Sequence, residues 1–422
     1  MKRTAFLVCA AVVATIMAAG AVSAQTEDGT ERDRRIGEAP LEGGETRVDF
    51  VPGEVVVQTQ AGEYETREVD ARSLGAVREA AEEIEAQNPA VEEASPNYRY
   101  RPQFVPNDPY FDWQPPDNLG LPQGQYWLRA IRALGAWNDS RGANVKVGVV
   151  DTGWQLDHPD LVGKVAGQRD FVADPPDDEA EGHGYHGTSV AGVAAAETNN
   201  AEGVASVGFD AQLVIAKACT ETCLSADLAQ AIQWLAQEQG VKIINISSGR
   251  YYSDGSTDTI LGDAIREAQE AGALVVAGVG NSGIRIDNDP ATTDPAFYPA
   301  CFDGVLGVGA VNDDGTKWDR SNYGPCVDLV APGENVLTTF DKNDPLLQER
   351  QYAYVGGTSF ATPQVAGAAA LVKDKRGDLD APQIAARLQN RATDLGEPSR
   401  DDEYGHGLLN AKCTVSPAKD GC

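Results

Sequence analysis

Basic residues are scarce in this sequence. Its 422 residues include 34 Lys and Arg against 64 Asp and Glu, which gives a formal net charge of −30. A surface with so little positive charge repels nucleic-acid phosphates and anionic lipid head groups. The composition therefore argues against nucleic-acid and membrane partners, and it favours the binding of cations.

Long apolar runs are also rare. The one candidate lies at the N-terminus, where Lys2 and Arg3 precede a mostly apolar run over residues 5–17 and small residues occupy positions 22–24. This pattern is typical of a secretory signal peptide, here residues 1–24, and the run is too short for a membrane anchor. No other run approaches the roughly 18 apolar residues of a membrane-spanning helix. We therefore expect a secreted protein, extracellular or periplasmic.

Cysteine is infrequent, and one of the seven cysteines, Cys9, lies in the predicted signal peptide. The remaining six are an even number, which in an exported protein suggests disulfide bonds. Sequence alone does not determine the pairing. Closeness along the chain favours three pairs: Cys219–Cys223, Cys301–Cys326 and Cys413–Cys422. A zinc site is the alternative, but the sequence lacks a tight group of Cys and His residues.

The pattern of apolar residues divides the chain into segments. Residues 25–47 are polar and charged, which is typical of a flexible linker. Residues 48–104 contain a strand-like run, a helix with one apolar stripe that ends before Pro89, and a second strand-like run. Over residues 105–412, apolar runs alternate with helices, which predicts an α/β fold with a mostly parallel sheet between helical layers. Residues 413–422 would form a short tail.

The stretch VGVVDTGW, residues 147–154, places Asp151 at the end of a predicted strand. An aspartic protease would need a second Asp-Thr/Ser-Gly after an apolar strand, because its two carboxylates share one proton. Asp254 and Asp314 do not follow apolar strands and lack the Thr or Ser. In parallel sheets the chemistry lies at the carboxyl ends of the strands. The aspartic protease interpretation therefore lacks its second carboxylate, and the role of Asp151 must be inferred from the segments that follow it.

Three further segments carry residues typical of a serine hydrolase. His186 lies in HGYHGTSVAG, Asn281 in VVAGVGNSG, and Ser359 opens a helix in GGTSFATPQVAG. A serine hydroxyl needs a base and the base needs an orienting carboxylate, roles that Ser359, His186 and Asp151 can fill. The amide of Asn281 can donate to a developing oxyanion. Pro363 is expected in the first turn of its helix, where its missing N–H breaks no hydrogen bond.

These motifs, in the order Asp151, His186, Asn281 and Ser359, resemble those of the subtilases, a family of serine proteases. NDPYF, HPDL and ETNNAEGV are most similar to the thermitase branch, and the resemblance covers roughly residues 105–412. It implies a subtilisin-like three-layer α/β domain and a secreted serine endopeptidase. His183 is the alternative base, which we expect to lie in a loop.

The resemblance also implies that residues 48–104 are a propeptide, which assists folding and inhibits the enzyme until self-cleavage near residues 100–105. The product would be a monomer made as a preproenzyme. A permanent accessory domain is the alternative for residues 48–104. For the whole chain, the alternative is a catalytically inactive subtilase-like scaffold that binds peptides or acts as a chaperone, and the intact catalytic set argues against it. An esterase motif, G-x-S-x-G, fails because Ala361 stands at its last position.

The resemblance further implies that protein or peptide substrates bind as an added extended strand. The segments that correspond to the binding cleft are Ser247, Ser248 and Gly249 on one side and Gly278, Val279 and Gly280 on the other. Small residues there would leave room for a substrate side chain. Because Ser282 carries no charge, we expect a pocket that accepts large apolar or aromatic residues.

A structural calcium site is the last implication. Calcium prefers several oxygen ligands from carboxylates, amides and carbonyls. By the resemblance, these ligands are the carboxylates of Asp108 and Asp160, the side chain of Asn200, and the carbonyls of Thr198, Glu202 and Val204. Glu197 is the alternative to Thr198, because the register of this loop could differ by one residue.

Overall fold

The structure is a computed structural model that describes residues 50–98, 104–115, 120–172, 177–182, 184–289, 291–347 and 349–416. The described chain forms two compact units, with their boundary between Gln103 and Phe104. The predicted signal peptide, the predicted linker and His183 lie outside the described residues. Among the described residues, no helix has both the length and the apolar character needed to cross a bilayer.

The N-terminal unit is a three-stranded antiparallel sheet with one helix. Its elements are β1 (Phe50–Thr59), β2 (Tyr64–Glu68), α1 (Leu74–Gln87) and β3 (Val91–Tyr98). The strand order is β2-β1-β3. Helix α1 begins where the Ser73 side chain accepts a hydrogen bond from the amide of Ala76, a common N-cap. Strand β2 was not expected, because its side chains are mostly exposed and show no apolar alternation.

The C-terminal unit contains the remaining elements. The helices are α2 (Tyr126–Ala130), α3 (Ala133–Ala136), α4 (His186–Ala195), α5 (Ser225–Gln233), α6 (Thr259–Glu270), α7 (Thr358–Lys375), α8 (Ala381–Asn390) and α9 (Ala411–Val415). The strands are β4 (Lys146–Asp151), β5 (Val165–Asp170), β6 (Gln212–Lys217), β7 (Ile243–Ile246), β8 (Arg250–Tyr252), β9 (Leu274–Gly278), β10 (Ala296–Tyr298), β11 (Leu306–Val311), β12 (Leu329–Pro332), β13 (Val336–Thr339) and β14 (Tyr352–Val355).

The centre of this unit is a seven-stranded sheet in the order β12-β11-β9-β7-β4-β6-β5, in which all neighbours are parallel. Alternate side chains of β4 enter different hydrophobic cores. Val147 and Val149 belong to the core on one face, and Val150 belongs to the core on the other face. Burial on both faces explains the nearly continuous apolar runs. The predicted α/β fold with a parallel sheet between helical layers is confirmed.

Helices α4 and α7 pack closely because small residues line their contacts. A Cβ atom at Gly367 of α7 would lie 3.0 Å from the carbonyl oxygen of Ala194 in α4, and one at Gly192 of α4 would lie 2.0 Å from Thr339 Oγ1 in β13. Most side chains of α7 are buried, so this helix runs through the interior of the unit. The two helices that carry His186 and Ser359 are therefore held in one packed core.

Local predictions at helix starts were less successful. Ser225 was expected to cap α5, but it is the first helical residue, and its hydroxyl donates instead to Asp258. Asp258 in turn caps α6, because its side chain accepts from the amide of Leu261 at 3.1 Å. The short antiparallel pairs β8–β10 and β13–β14 were also not predicted.

The disulfide predictions are confirmed for Cys219–Cys223 and Cys301–Cys326. Cys422 lies outside the described residues, so its pairing with Cys413 stays a prediction. The boundary expected after residue 412 falls inside α9, where Cys413 and Val415 are buried in the core of the C-terminal unit.

Candidate active site

The four predicted catalytic side chains stand at ends of neighbouring elements. Asp151 is the last residue of β4, His186 is the first residue of α4, and Ser359 is the second residue of α7. Asn281 follows β9. Strands β4, β7 and β9 are adjacent and parallel, so their carboxyl ends meet at the same edge of the sheet.

Asp151 and His186 form the central contact of the site. His186 Nδ1 lies 2.7 Å from Asp151 Oδ1, which also accepts from the amide of Thr152 at 2.8 Å. The Asp151 side chain is 2% exposed and that of His186 is 28% exposed. Because a carboxylate accepts hydrogen bonds, Nδ1 carries the proton and Nε2 is left with its lone pair. The carboxylate thus selects the tautomer that a general base requires.

The pKa of His186 reflects two opposed effects. Burial lowers the pKa of His186, because it disfavours the charged imidazolium. The negative charge of Asp151 and its hydrogen bond raise it, and together they outweigh burial. The net pKa of His186 lies above the ordinary value of the side chain.

Ser359 is joined to the segment after β7 by two reciprocal hydrogen bonds. Ser359 Oγ donates to the carbonyl of Ser247 at 3.1 Å, and Ser247 Oγ donates to the carbonyl of Ser359 at 2.9 Å. Pro363 lies in the second turn of α7, since the helix begins at Thr358, so its expected place in the first turn is wrong. Its missing N–H leaves the Ser359 carbonyl without a helical donor, and Ser247 supplies the replacement.

Asn281 is oriented by α7. Its Oδ1 accepts from the amide of Thr358 at 2.8 Å and from Thr358 Oγ1 at 3.0 Å. A backbone N–H can only donate, so this contact assigns the oxygen and leaves the Nδ2 group of Asn281 free to donate elsewhere. The Nδ2 group lies beside Gly357, the residue that precedes α7. The amide donor and the start of α7 are therefore adjacent.

Three positioning residues were missed by the sequence analysis. Thr358 Oγ1, besides its bond to Asn281, accepts from the amide of Gly280 at 3.2 Å. Thr152 Oγ1 accepts from the amide of Gly187 at 3.0 Å and so links the end of β4 to α4. Asn322 is fully buried, and its Nδ2 donates to the carbonyl of Val279 at 2.8 Å. Thr358 and Thr152 lie next to the motif residues Ser359 and Asp151, so their positions in the sequence could have indicated their roles. No comparable feature of the sequence marks Asn322.

The backbone of residues 247–249 resembles an unpaired β-strand edge. It follows β7, and within the described part of the chain it forms no backbone–backbone hydrogen bond. The Ser247 hydroxyl is held by Asn245 Nδ2 at 3.0 Å, and Ser248 Oγ is buried without a partner among the described residues. Unpaired N–H and C=O groups of extended backbone can pair with an added strand.

The opposite segment does not form an open pocket wall. Gly278 faces α7, where a Cβ would lie 3.1 Å from Thr358 Oγ1, and Val279 is fully buried. A Cβ at Gly280 would meet Asn322 Nδ2 and the ring of Phe297, and the same ring also lies near Gly249. The ring of Phe297 thus lies where an open pocket is expected from the sequence, and the preference for large apolar residues stays a prediction.

The predicted calcium ligands are brought together by one loop. Asp108 accepts from the amide of Asn199 at 2.8 and 3.0 Å, and Asp160 Oδ1 accepts from Asn200 Nδ2 at 3.0 Å. Asp160 Oδ2 accepts from the amide of Val204 at 2.8 Å. A Cβ at Gly203 would lie 2.0 Å from that oxygen, so the loop closes tightly over the carboxylate.

The other predicted ligands belong to the same loop. Asn200 Oδ1 accepts from the amide of Glu202 at 2.9 Å, while the hydroxyl of Thr198 bonds within the loop to the carbonyl of Ala196 at 3.2 Å. The amide of Glu197, the first residue of the loop 197–204, donates to the carbonyl of Asp160 at 2.8 Å. The loop therefore contacts the segment around Asp160 from its start.

The two carboxylates of this cluster, Asp108 and Asp160, are buried and lack a positive partner among the described residues. Burial raises the pKa of Asp160 to about 7, and the charge of Asp108 adds to the effect. Burial also raises the pKa of Asp108. Within the described ranges, no group of three or more His, Cys, Asp or Glu could hold a metal. A cation here would depend on two carboxylates together with amide and carbonyl oxygens.

Comparisons with known proteins agree with this geometry. A family model described as "Subtilase family" matches residues 142–407. The thermophilic serine proteinase of Bacillus sp. (strain AK1) is 32% identical over 425 residues, which cover 94% of this chain and 94% of that protein. Thermitase of Thermoactinomyces vulgaris is 34% identical over 310 residues, which cover 73% of this chain and 98% of thermitase.

A solved structure, described as proteases from Pseudoalteromonas arctica PAMC 21717, superposes with a TM-score of 0.62 at 28% identity. The match covers 74% of this chain and 98% of that chain. The expected resemblance is confirmed by these matches, and the family model spans all four predicted catalytic residues. The chain belongs to the subtilase family and is a serine endopeptidase.

Proposed function

We propose that this protein is an exported, calcium-stabilised endopeptidase that cleaves peptide bonds through an acyl-enzyme formed on Ser359. The observation that carries the proposal is the 2.7 Å contact between His186 Nδ1 and the buried Asp151, beside the start of the helix that bears Ser359. This arrangement supplies a base whose free nitrogen can take the proton of a serine hydroxyl.

In the proposed reaction, Ser359 Oγ attacks the substrate carbonyl while His186 Nε2 takes the hydroxyl proton. The oxyanion that forms accepts from Asn281 Nδ2 and lies at the positive end of α7. His186 then gives the proton to the leaving amine as the C–N bond breaks. Water attacks the acyl-enzyme in the same way, and Asp151 stays ionised throughout.

The hydrogen bond from Ser359 Oγ to the carbonyl of Ser247 suggests how binding prepares the nucleophile. A substrate that pairs with residues 247–249 would present an N–H group to that carbonyl. The Ser359 hydroxyl would then lose its acceptor and turn to His186 Nε2. Binding of the peptide backbone would thus favour the reactive orientation of the hydroxyl.

Calcium is proposed as a structural ion at Asp108, Asp160 and the loop 197–204. The fit rests on two buried carboxylates that lack a positive partner among the described residues and on the loop that donates hydrogen bonds to both of them. Calcium prefers carboxylate, amide and carbonyl oxygens, which these residues carry. When bound, the ion would supply the missing positive charge. Asn200 and the carbonyls of residues 198, 202 and 204 would complete the set, with residue 197 as the alternative to 198.

The N-terminal unit is proposed to be a self-cleaved propeptide that inhibits the enzyme and assists its folding. Two observations support this role. Residues 50–98 form a unit with its own small core, and the relative from Bacillus sp. aligns over 94% of this chain. Secretion is supported by the signal-like residues 1–24 and by the two disulfides, which persist in oxidising compartments. We expect the mature enzyme to be a monomer.

The test compares residues 25–422 with a Ser359→Ala twin, each with and without calcium, by intact mass and casein hydrolysis. The wild type should lose about eighty N-terminal residues and gain activity, while the twin stays full length and inactive. If folded wild type and twin both remain full length and inactive, the proposal is wrong and a binding scaffold takes its place. Equal activity in the twin would remove Ser359 as the nucleophile.

A further inference from the structure

We propose that Phe297 occupies the primary substrate pocket and limits the residue on the acyl side of the cleaved bond to Gly, Ala or Ser. This inference rests on the proposed function, because it concerns the same cleft. It makes the specificity of this enzyme the opposite of the preference for large apolar side chains that its small cleft residues suggest.

The position of Phe297 follows from a short antiparallel ladder. Strand β10 pairs with β8, and Phe297 is opposite Tyr251. Because β8 starts one residue after Gly249, the ladder brings Phe297 to the end of the cleft segment 247–249. Phe297 is 7% exposed, so its ring lies inside the protein and not on the surface.

The tip of the Phe297 ring lies between the two sides of the cleft. A Cβ atom at Gly249 would be 2.5 Å from Cε1 and 2.8 Å from Cζ of the ring. A Cβ at Gly280 would be 2.6 Å from Asn322 Nδ2, 3.0 Å from Cζ and 3.1 Å from Cε2. The Cζ atom of the ring therefore lies near both glycines. The ring of Phe297, together with Asn322, occupies the space that side chains at Gly249 and Gly280 would need.

Neighbouring side chains hold the ring in this place. The Tyr251 and Phe297 ring centroids are 4.7 Å apart. The Tyr251 hydroxyl accepts from Asn322 Nδ2 at 2.7 Å, and the same group donates to the carbonyl of Val279 at 2.8 Å. Asn322 therefore links Tyr251, which packs on the Phe297 ring, to the cleft segment 278–280. A substrate side chain could displace Phe297 only by disturbing this buried network.

The filled space adjoins the reacting groups. Gly280 directly precedes Asn281, and the carbonyl of Ser247 accepts the hydroxyl of Ser359. A substrate side chain that enters between residues 247–249 and Gly280 therefore belongs to the residue whose carbonyl is attacked. With the ring present, a methyl or hydroxymethyl group is the largest side chain that we expect to fit without displacement.

The main experiment uses the mature enzyme and peptide anilides that differ only in the residue before the cleaved bond: Gly, Ala, Ser, Leu or Phe. A single methylene changes kcat/KM by about 10–200-fold in such pockets. For the wild type we expect Ala to exceed Phe by about 100-fold or more. Phe297→Ala should reverse this order, and Phe297→Leu should give an intermediate ratio. Titration with a small organophosphate corrects each value for the active fraction.

The matched control is Phe302→Ala. Phe302 stacks on Tyr298 with centroids 4.1 Å apart and lies outside the cleft, so the substitution removes the same ring from the same region without opening the pocket. It should leave the Ala-to-Phe ratio within a few-fold of the wild type. Equal changes in the two Ala variants would overturn the proposal, because they would indicate general loosening.

Two further readouts do not depend on the Ala variant. The peptide bonds that the wild type cleaves in casein should follow Gly, Ala or Ser, and frequent cleavage after Leu or Phe would overturn the proposal. Residues 100–105 contain no Gly, Ala or Ser, so first self-cleavage there should be slow and should accelerate in Phe297→Leu. A folded wild type that cleaves neither casein nor any anilide would instead refute the proposed function.

Discussion

Asp151 and Asp160 are both buried carboxylates, but their surroundings differ. Asp151 faces His186, a side chain that becomes a cation when it takes a proton. Asp160 accepts from neutral groups, among them Asn200 and the amide of Val204, and Asp108 places a second negative charge nearby. Asp151 therefore has a partner that can become positive, whereas the loop cluster has none among the described residues. If the proposed calcium binds there, the cluster would depend on a cation from solution, unlike the pair of Asp151 and His186.

The largest expected effect comes from removing the charge of Asp151. Asp151→Asn should lower kcat/KM by about 10⁴-fold at neutral pH, because the amide no longer selects the required tautomer of His186. In the wild type the pKa of His186 is raised, so activity falls as the pH decreases through a value above the ordinary histidine range. In Asp151→Asn only the effect of burial remains, and burial lowers the pKa of His186. The remaining activity should therefore decline at a lower pH than the activity of the wild type does.

The measurement for Asp151 is the pH dependence of kcat/KM with a peptide anilide. Lys412 pairs with Asp139 far from the cleft, so Asp139→Asn serves as a control for the loss of a carboxylate. A drop of less than tenfold in Asp151→Asn, or an acid limb that moves to higher pH, would contradict the assigned role.

The next effect concerns the oxyanion donor. Asn281→Ala should lower kcat by about 10²–10³-fold, or about 2.7–4 kcal/mol, with little change in KM, because its amide acts mainly in the transition state. Thr358→Val removes the hydroxyl that donates to Asn281 Oδ1 and accepts from the amide of Gly280, but it keeps the Thr358 amide. About a fivefold decrease in kcat is expected from the lost hydrogen bond to Asn281. If KM accounts for the loss in Asn281→Ala, its side chain binds substrate and does not stabilise the oxyanion.

The smallest effect is on stability and concerns the calcium cluster. Calcium at 100 times its Kd should add about 2.7 kcal/mol to the folded state, which corresponds to a rise in Tm of roughly 4 °C for a unit of this size. Asp160→Asn should abolish most of this shift and leave the catalytic constants of the folded enzyme nearly unchanged. Asp263→Asn, on the exposed face of α6, should retain the full shift. An equal calcium response in all three proteins would place the ion elsewhere.

Sequence reasoning succeeded where local pattern and tertiary role coincide. The strands around β4 are buried on both faces, so their apolar composition alone indicates a parallel sheet. Asp151 could be located because it ends the apolar run of β4. His186 and Ser359 start helices of small residues, which the motifs also display. These features need no knowledge of distant contacts.

Sequence reasoning failed where the role of a residue depends on contacts between segments that are distant along the chain. Nothing near Phe297 in the sequence indicates a pocket, because its place follows from the β8–β10 ladder and from contacts with Gly249 and Gly280. The glycines were interpreted as space for a substrate, whereas the ring of Phe297 lies beside both of them. Asn322 was missed for the same reason, since its partners Tyr251 and Val279 are 71 and 43 residues away along the chain.

Pro363 has a consequence for how the cleft moves. Because the proline leaves the Ser359 carbonyl to the Ser247 hydroxyl, this hydrogen bond joins the backbone of the nucleophile to the segment 247–249, and it persists when a peptide takes the Ser247 carbonyl. Thermal displacement of that segment should carry the start of α7 with it. The distance between the attacking oxygen and the carbonyl of a bound peptide should then fluctuate less than the width of the cleft itself. Alignment of the reactants would be preserved while the enzyme opens and closes around chains of different sequence.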